Sequence, residues 1–515
     1  MTTRAEAWSR LGTTAYDLLV VGAGIIGSRI AFEAARAGLK VALVDAGDFG
    51  GATSSSSSKL IHGGFRYLPM LDLSLVWESQ RERRALMDRV APHLVRRMPM
   101  VLAAYRGGSR GPLTAAAGVL AYGAMCGFRG TGVGFVRART AQRLIPWLRT
   151  DGLGMCGLFD EGQTNDARLV LATVGAAAGL GASVVNHARV VGFDRPAGRL
   201  ATAWVQGREG EVAAEVRFRF VINAAGPWVD RLRQLEDPSC EPMARLSKGV
   251  HLLLEPRSEW RAGLVVPAEG GRVTMALPWQ GMLMLGTTDT EFEGDPAECA
   301  VNASDVAQVL AEASLALPRE MVRPDAVRYS FAGLRVLPRG GDISANAHRE
   351  HIIRSGRFGM VSIAGGKLTT HRRIAVETLR RLPDPRLSHL ELDGMRLPQA
   401  ERAVREPFDL DVDPGVVEHL TGAYGRDSTA VMRQRLVHAD ALDRIHPKSP
   451  DLWAQVYHAI ENEWAITVED IVRRRTTLAV RGLASSAVRE GVGRALARPY
   501  SPALGSSLIE AELMQ

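Results

Sequence analysis

The chain has 515 residues, 46% hydrophobic and 23% charged, an ordinary soluble globular composition with room for two or three buried cores. Its 63 Lys and Arg against 56 Asp and Glu give a net charge of +7, which suits nucleic acid, an anionic membrane surface or an anionic substrate without choosing among them. Four dispersed cysteines, Cys126, Cys156, Cys240 and Cys299, form no CxxC pair, so no metal site and no disulfide framework is expected, and a reduced, cytoplasmic compartment is the simple reading.

The first fifteen residues hold Arg4 and Arg10 but no apolar run of a secretory signal. From Tyr16 to Gly47 the pattern changes. Leu18 to Val21 reads as a buried strand, Gly22, Gly24 and Gly27 as G-x-G-x-x-G, Ser28 to Ala37 as a helix stopped by Gly38, and Val41 to Val44 as a second strand ending at Asp45. The first glycine allows a tight turn, the second lets backbone approach a pyrophosphate, and the third lets helix and strand pack closely. The helix start offers N–H groups to phosphate, and Asp45 stands where an acid accepts from a ribose hydroxyl. Such a site takes FAD or NAD.

The next stretch, SSSSSKLIHGGFRYL (Ser54 to Leu68), separates the two. A nicotinamide domain would continue into further βαβ units. A loop of small hydroxyls with a cation suits a return over a second phosphate and the edge of a flavin, with Ser57, Ser58 and Lys59 facing the cofactor. Gly111 to Phe128 then carries no charge and approaches membrane-span length, but it is rich in Gly and Ala, and a buried or interfacial helix is expected there. Ala188 to Phe193 reads as a strand in which Val190 either presents backbone to an adenine or is plain sheet core. Phe218 to Asn223 is a strand running into Ala224, Ala225 and Gly226, small enough to pass close to a dinucleotide. Met360 to Ala364 is a strand followed by Gly365 and Gly366, with a helix entered near Thr369. Only five of the 63 cationic residues are lysines, and Lys59, Lys248 and Lys367 stand beside serine or glycine in motif-like settings.

SSSSSKLIHGGFRYL resembles the flavin-contacting segment of the FAD-dependent glycerol-3-phosphate dehydrogenases. APHLV (Ala91–Val95), NDARLVL (Asn165–Leu171), NAAGPWVD (Asn223–Asp230), KGVHLLL (Lys248–Leu254), LGTTDTEFEGDP (Leu285–Pro296), FAGLRVLP (Phe331–Pro338), GGKLTTHR (Gly365–Arg372) and ENEWAITVEDIVRRRT (Glu461–Thr476) resemble further segments of that family, in its order and over nearly the whole chain. Departures include the Gly/Ala-rich stretch after APHLV and His371 where the family commonly has Tyr.

The resemblance implies an α/β architecture: a discontinuous Rossmann-like FAD domain, an inserted α+β substrate domain with an antiparallel sheet, and a helical C-terminal domain. The FAD-binding segments are expected at about 16–65, 160–240 and 355–385, the substrate segments at about 66–159 and 241–354, and the helical domain over 400–515. It also implies that the isoalloxazine end of FAD lies at Gly366, Leu368 and Thr369. A small phosphorylated substrate would be bound by Arg66, Tyr67, Arg349 and Lys367 and oxidised at C2 by hydride transfer to FAD. Arg335 would hold the developing alkoxide, and His251 is either the proton acceptor or a structural histidine. Electrons would pass to a quinone, at an anionic membrane surface on the inner face of the cytoplasmic membrane. Rival readings are an oxidase of the same substrate, a flavoenzyme acting on an amine, amino acid or 2-hydroxy acid, and a basic RNA-binding flavoprotein. The last lacks an aromatic-interleaved basic patch, and no nucleic acid is expected. A homodimer is left open.

Overall fold

The computed structural model of the protein describes residues 3–65, 73–108, 111–125, 132–208, 213–268, 272–339, 351–392, 395–400 and 412–498. Arg66, Tyr67 and Arg349 lie outside these residues, as do Cys126, Gly127 and Phe128 of the charge-free stretch.

Two sheets organise the chain. In the first, the central order is His351–Ser355, Met360–Gly365, Ala214–Asn223, Ala15–Val21, Val41–Val44 and Ser183–Val185. The last five run parallel, and the first is antiparallel to its neighbour. Parallel strands are covered on both faces, which is why the sequence here is apolar without alternation. Leu18, Val20 and Leu43 enter a core shared with the helices Ile25–Arg36, Asp166–Gly179 and His371–Leu379. Leu19, Val21, Ala42 and Val44 point the other way, against the helix Arg4–Thr13 and the antiparallel strands Arg189–Asp194 and Thr202–Gln206. Burying each Leu or Val side chain among them is worth about 1.5–3 kcal/mol. Because these strands are parallel, Val21, Val44, Val185, Asn223 and Gly365 all end on one edge, where α/β sheets hold their ligands.

The second sheet is mostly antiparallel, in the order Thr290–Phe292, Ala244–Leu254, Met282–Gly286, Val273–Trp279, Gly263–Pro267, Val95–Tyr105, Leu153–Thr164 and Leu60–Ile61, with Val327–Pro338 also paired to Ala244–Leu254. One face packs on the helices Ala138–Leu144 and Ala303–Ala313. The other packs on the helices Leu73–Ala85 and Pro112–Met125 through Val76, Ala115, Val119 and Tyr122. Within the charge-free stretch, Pro112–Met125 is a surface helix seated on the sheet by Ala115, Val119 and Tyr122, leaving Leu113 88% exposed. Among the described residues, no helix is long and apolar enough to cross a membrane. The helices Pro414–Tyr424, Trp453–Asn462 and Ser486–Ala497 form a separate C-terminal core around Val416, Leu420, Val456 and Val492.

Candidate active site

The cofactor end is built at the strand edge. Gly22 has φ +102°, and a Cβ there would lie 2.5 Å from the Ala224 carbonyl oxygen. Only glycine meets both conditions. A Cβ on Gly27 would overlap the Gly22 carbonyl oxygen, so the helix and the strand touch backbone to backbone. The helix Ile25–Arg36 begins at Gly24 with no capping side chain of its own. Ser54 Oγ, from the serine loop, accepts from Ile25 N at 2.9 Å, which brings that loop over the helix start. A pyrophosphate at this position would meet backbone N–H groups, a positive helix end and a small hydroxyl.

Asp45 ends its strand with its carboxylate accepting from Ala23 N at 2.6 Å and Gly47 N at 2.9 Å. Burial pushes its carboxyl up to about 6 against the pull of these two donors. Ala188 N donates to Asp45 O at 2.7 Å, and Val190 follows two residues later, buried in Arg189–Asp194. On the other side Ala225 N donates to Asn223 Oδ1 at 3.1 Å, and Gly226, with φ +55°, opens a short turn toward the crevice.

These residues fit FAD. If Asp45 accepts from the ribose, binding favours its ionised form, so affinity for FAD should fall roughly tenfold per unit as pH drops below about 6. The apo fold responds with the opposite sign. A raised carboxyl stabilises the folded protein fully below the ordinary value of 3.8, and that contribution is lost as pH rises through about 6. Fluorescence titration of the apoprotein with FAD at several pH values checks this. A flat profile between pH 8 and pH 5 would separate Asp45 from the cofactor.

The serine loop and the Gly-Gly turn meet at the flavin end. Gly365 and Gly366 have φ of +85° and +98°. Thr369 Oγ1 donates to His62 O at 3.3 Å, joining the two segments. Leu368 O lies 2.7 Å from His371 Nδ1. Burial first, then the neighbouring Arg29 charge, presses His371 down to about 3, so it is neutral. Lys367 is half-buried just after the turn, its charge acting on Glu78.

The side chains of Ser57 and Lys59 are both engaged by Asp166. Lys59, at φ +60° and 3% exposed, bonds Asp166 Oδ1 and Ser55 O, each at 2.7 Å, beneath Trp279 and Phe331. Burial lowers its pKa, and Asp166 opposes that. Ser57 donates to Asp166 Oδ2 through Oγ at 2.7 Å and N at 3.2 Å. Asp166 thus anchors the loop to the start of its helix.

The reacting end lies on the second sheet. His251 pairs with Phe331 on one side and Gly286 on the other, and Ser247 pairs with Arg335. A Cβ on Gly286 would lie 2.5 Å from the His251 ring, and one on Gly249 would lie 2.6 Å from Arg335 Nη2. Ser247, Gly249 and His251 alternate onto one face, and the missing side chain of Gly249 lets the Arg335 guanidinium lie directly over its backbone, two residues from the imidazole. His251 Nε2 lies 2.9 Å from Ser58 Oγ, and its ring stacks on Phe331 at 5.0 Å. Burial, then the charges of Lys59 and Arg335, press it down to about 3. Its Nδ1 is buried with no hydrogen-bond partner among the described residues. Arg335 donates through Nη2 to Thr287 Oγ1 at 3.1 Å and Thr288 O at 3.0 Å, and through Nη1 to Asp289 Oδ1 at 3.2 Å. The structure therefore brings a neutral imidazole, an oriented guanidinium and a dinucleotide crevice into one neighbourhood.

The profile of the family described as FAD dependent oxidoreductase matches residues 17–372, and that of the C-terminal domain of alpha-glycerophosphate oxidase matches 370–501. Glycerol-3-phosphate dehydrogenase 2 of Mycobacterium bovis is 33% identical over 493 residues, 93% of this chain and 83% of its own. The chain belongs to the FAD-dependent glycerol-3-phosphate dehydrogenase family. Another relative, the aerobic glycerol-3-phosphate dehydrogenase of Staphylococcus saprophyticus, is 29% identical over 90% of this chain and 86% of its own. The solved glycerol-3-phosphate dehydrogenase of Bacillus halodurans, complexed with FAD, superposes with a TM-score of 0.77 at 25% identity, covering 99% of this chain and 96% of that one. The chain is thus an FAD-dependent oxidoreductase of that dehydrogenase family. Several residues the sequence reading passed over now stand in the site. His62 and Asp166 lay inside the motifs it quoted, and Gly249 and Gly286 show their purpose only once strand register puts them beside Arg335 and His251.

Proposed function

We propose that this enzyme oxidises sn-glycerol 3-phosphate to dihydroxyacetone phosphate and passes the electrons to a quinone. The observation that carries this reading is the Arg335 guanidinium lying over Gly249, two residues along one strand face from the His251 imidazole. An alcohol bound there presents its O2 to both. Bound FAD supplies the acceptor for the C2 hydride. Arg335, its fork held by Thr287, Thr288 and Asp289, stabilises charge developing on O2. Neutral His251 takes the hydroxyl proton. Burial is the larger cause of its lowered pKa, and the negative charge of a phosphate offsets the Lys59 and Arg335 charges that add to it, so substrate binding raises its basicity in part. Lys367, and Arg66, Tyr67 and Arg349 beyond the described residues, supply the phosphate contacts.

A cytoplasmic enzyme resting on the anionic inner face of the membrane fits the +7 charge and the exposed Leu73, Trp77, Leu113 and Leu120 on two neighbouring helices. The test is anaerobic flavin bleaching by glycerol 3-phosphate, followed by reoxidation with either oxygen or a quinone carried in anionic vesicles. Fast bleaching and preferential reoxidation by the vesicles are expected. Preference for oxygen would make the enzyme an oxidase. Bleaching only by an amine, amino acid or 2-hydroxy acid would overturn the substrate.

A further inference from the structure

The segment after Asp45 is short and carries a second buried acid. Asp48 is 3% exposed, yet four N–H groups converge on it. Oδ1 accepts from Asn186 Nδ2 at 3.1 Å and Arg475 Nη2 at 2.8 Å, and Oδ2 accepts from Arg475 Nη1 and Arg474 Nε. The two arginines stand 426 and 427 positions further along the chain, in the C-terminal helical unit. They are held there in turn. Arg475 Nη2 also donates to Glu463 O at 2.7 Å, and Arg474 Nη2 donates to Asp470 Oδ1 at 3.0 Å.

A second seam runs alongside. Asn186 Nδ2 also donates to Trp464 O at 2.7 Å, and Phe49 meets the edge of the Trp464 ring at 5.6 Å. His187 N donates to Gly47 O at 2.8 Å while its Nε2 lies 3.1 Å from Asp470 Oδ2. The residues on both sides of Asp45, 47–49 and 186–188, are thereby tied to the C-terminal unit. Asp48, His187 and Asp470 cluster closely, but both carboxylates already face arginines, so the cluster is an ion network rather than a cation site.

We infer that the C-terminal helical unit is part of the cofactor-binding machinery: Arg474 and Arg475 clamp Asp48 and so hold the Asp45 carboxylate ready for the ribose of FAD. The inference rests on the reading of Asp45 as the ribose acceptor. A guanidinium fork fixes a carboxylate in position and in plane, and a loop fixed before binding loses less entropy on binding. Asp48, Arg474 and Arg475 are positioning residues, since none of them touches the reacting atoms.

The test measures FAD affinity of the full-length apoprotein by fluorescence titration, with hydrogen exchange of residues 46–49 as a second readout. Asp48→Asn should weaken FAD binding about tenfold or more and speed exchange in that segment, and Arg474→Gln, which leaves the Arg475 fork in place, should do so more mildly. Arg168→Met breaks a different buried pair to the same unit, Arg168 with Glu463 at 2.8 Å, and should lower thermal stability with FAD affinity kept. If Asp48→Asn does not fold, Arg474→Gln decides. Wild-type affinity in both clamp variants, with affinity lost in Asp45→Asn, would overturn the clamp alone. Wild-type affinity in Asp45→Asn would overturn the reading of Asp45 and the route through it. Equal weakening in Arg168→Met would show that docking in general, and not the clamp, governs affinity.

Discussion

Arg335→Ala should slow flavin reduction about a hundredfold at saturating glycerol 3-phosphate, the equivalent of ~3 kcal/mol of lost transition-state stabilisation. The guanidinium is two-thirds buried, its side chain 32% exposed, and it is oriented by Thr287, Thr288 and Asp289 before any substrate arrives. Charge on O2 develops as its proton passes to His251 and is absent from the bound alcohol, so the loss should fall on the rate constant more than on apparent substrate affinity. Removing the side chain leaves Asp289, 52% exposed, free to be hydrated, so the variant should fold. Arg335→Lys should not restore the rate, because a single ammonium cannot meet Thr287, Thr288 and the substrate oxygen in one plane. Stopped-flow bleaching decides the matter, and near-wild-type rates in Arg335→Ala would remove the residue from the chemistry.

Gly27→Ala should give protein almost without flavin and with a markedly lower melting temperature. The added methyl overlaps the Gly22 carbonyl oxygen and lies 3.2 Å from Ala224 Cβ, so backbone must move at the turn expected to receive the pyrophosphate. Overpacking commonly costs about 1–3 kcal/mol, and a clash with fixed backbone lies at or above the top of that range. Gly38→Ala is the control. It meets nothing within 4 Å and bears only the strain of φ +82°, so it should keep its flavin at a cost of about 1–2 kcal/mol. The absorbance ratio of flavin to protein after purification reads both variants. Full occupancy in Gly27→Ala would show that the turn can yield.

The first sheet was legible because each piece of it is a local pattern. Leu18 to Val21, the three glycines and Val41 to Val44 declare strand, turn, helix and strand within thirty residues or so. The second sheet was much less so. Its site depends on register, and nothing local in KGVHLLL says that Gly249 will lie under an arginine from FAGLRVLP. Charges were the least readable. The sequence pattern places Lys59 beside the cofactor, and nothing local shows that its ammonium is buried against Asp166, more than a hundred residues on. Asp48 with Arg474 and Arg475 could not be paired from the sequence, since the ends of the contact share neither period nor motif.

The parallel sheet also bears on how the protein is made. Strand Ala15–Val21 leaves the ribosome with one neighbour, Val41–Val44, close behind. Its other neighbour, Ala214–Asn223, follows roughly 200 residues later, about 10–40 s at ordinary translation rates. Met360–Gly365, which carries the Gly-Gly turn, comes later still. Throughout that interval a buried strand of the first sheet has an open edge and the crevice lacks a wall. Closure of the crevice is therefore expected to wait for strands made late in synthesis, with the early edge exposed in the meantime.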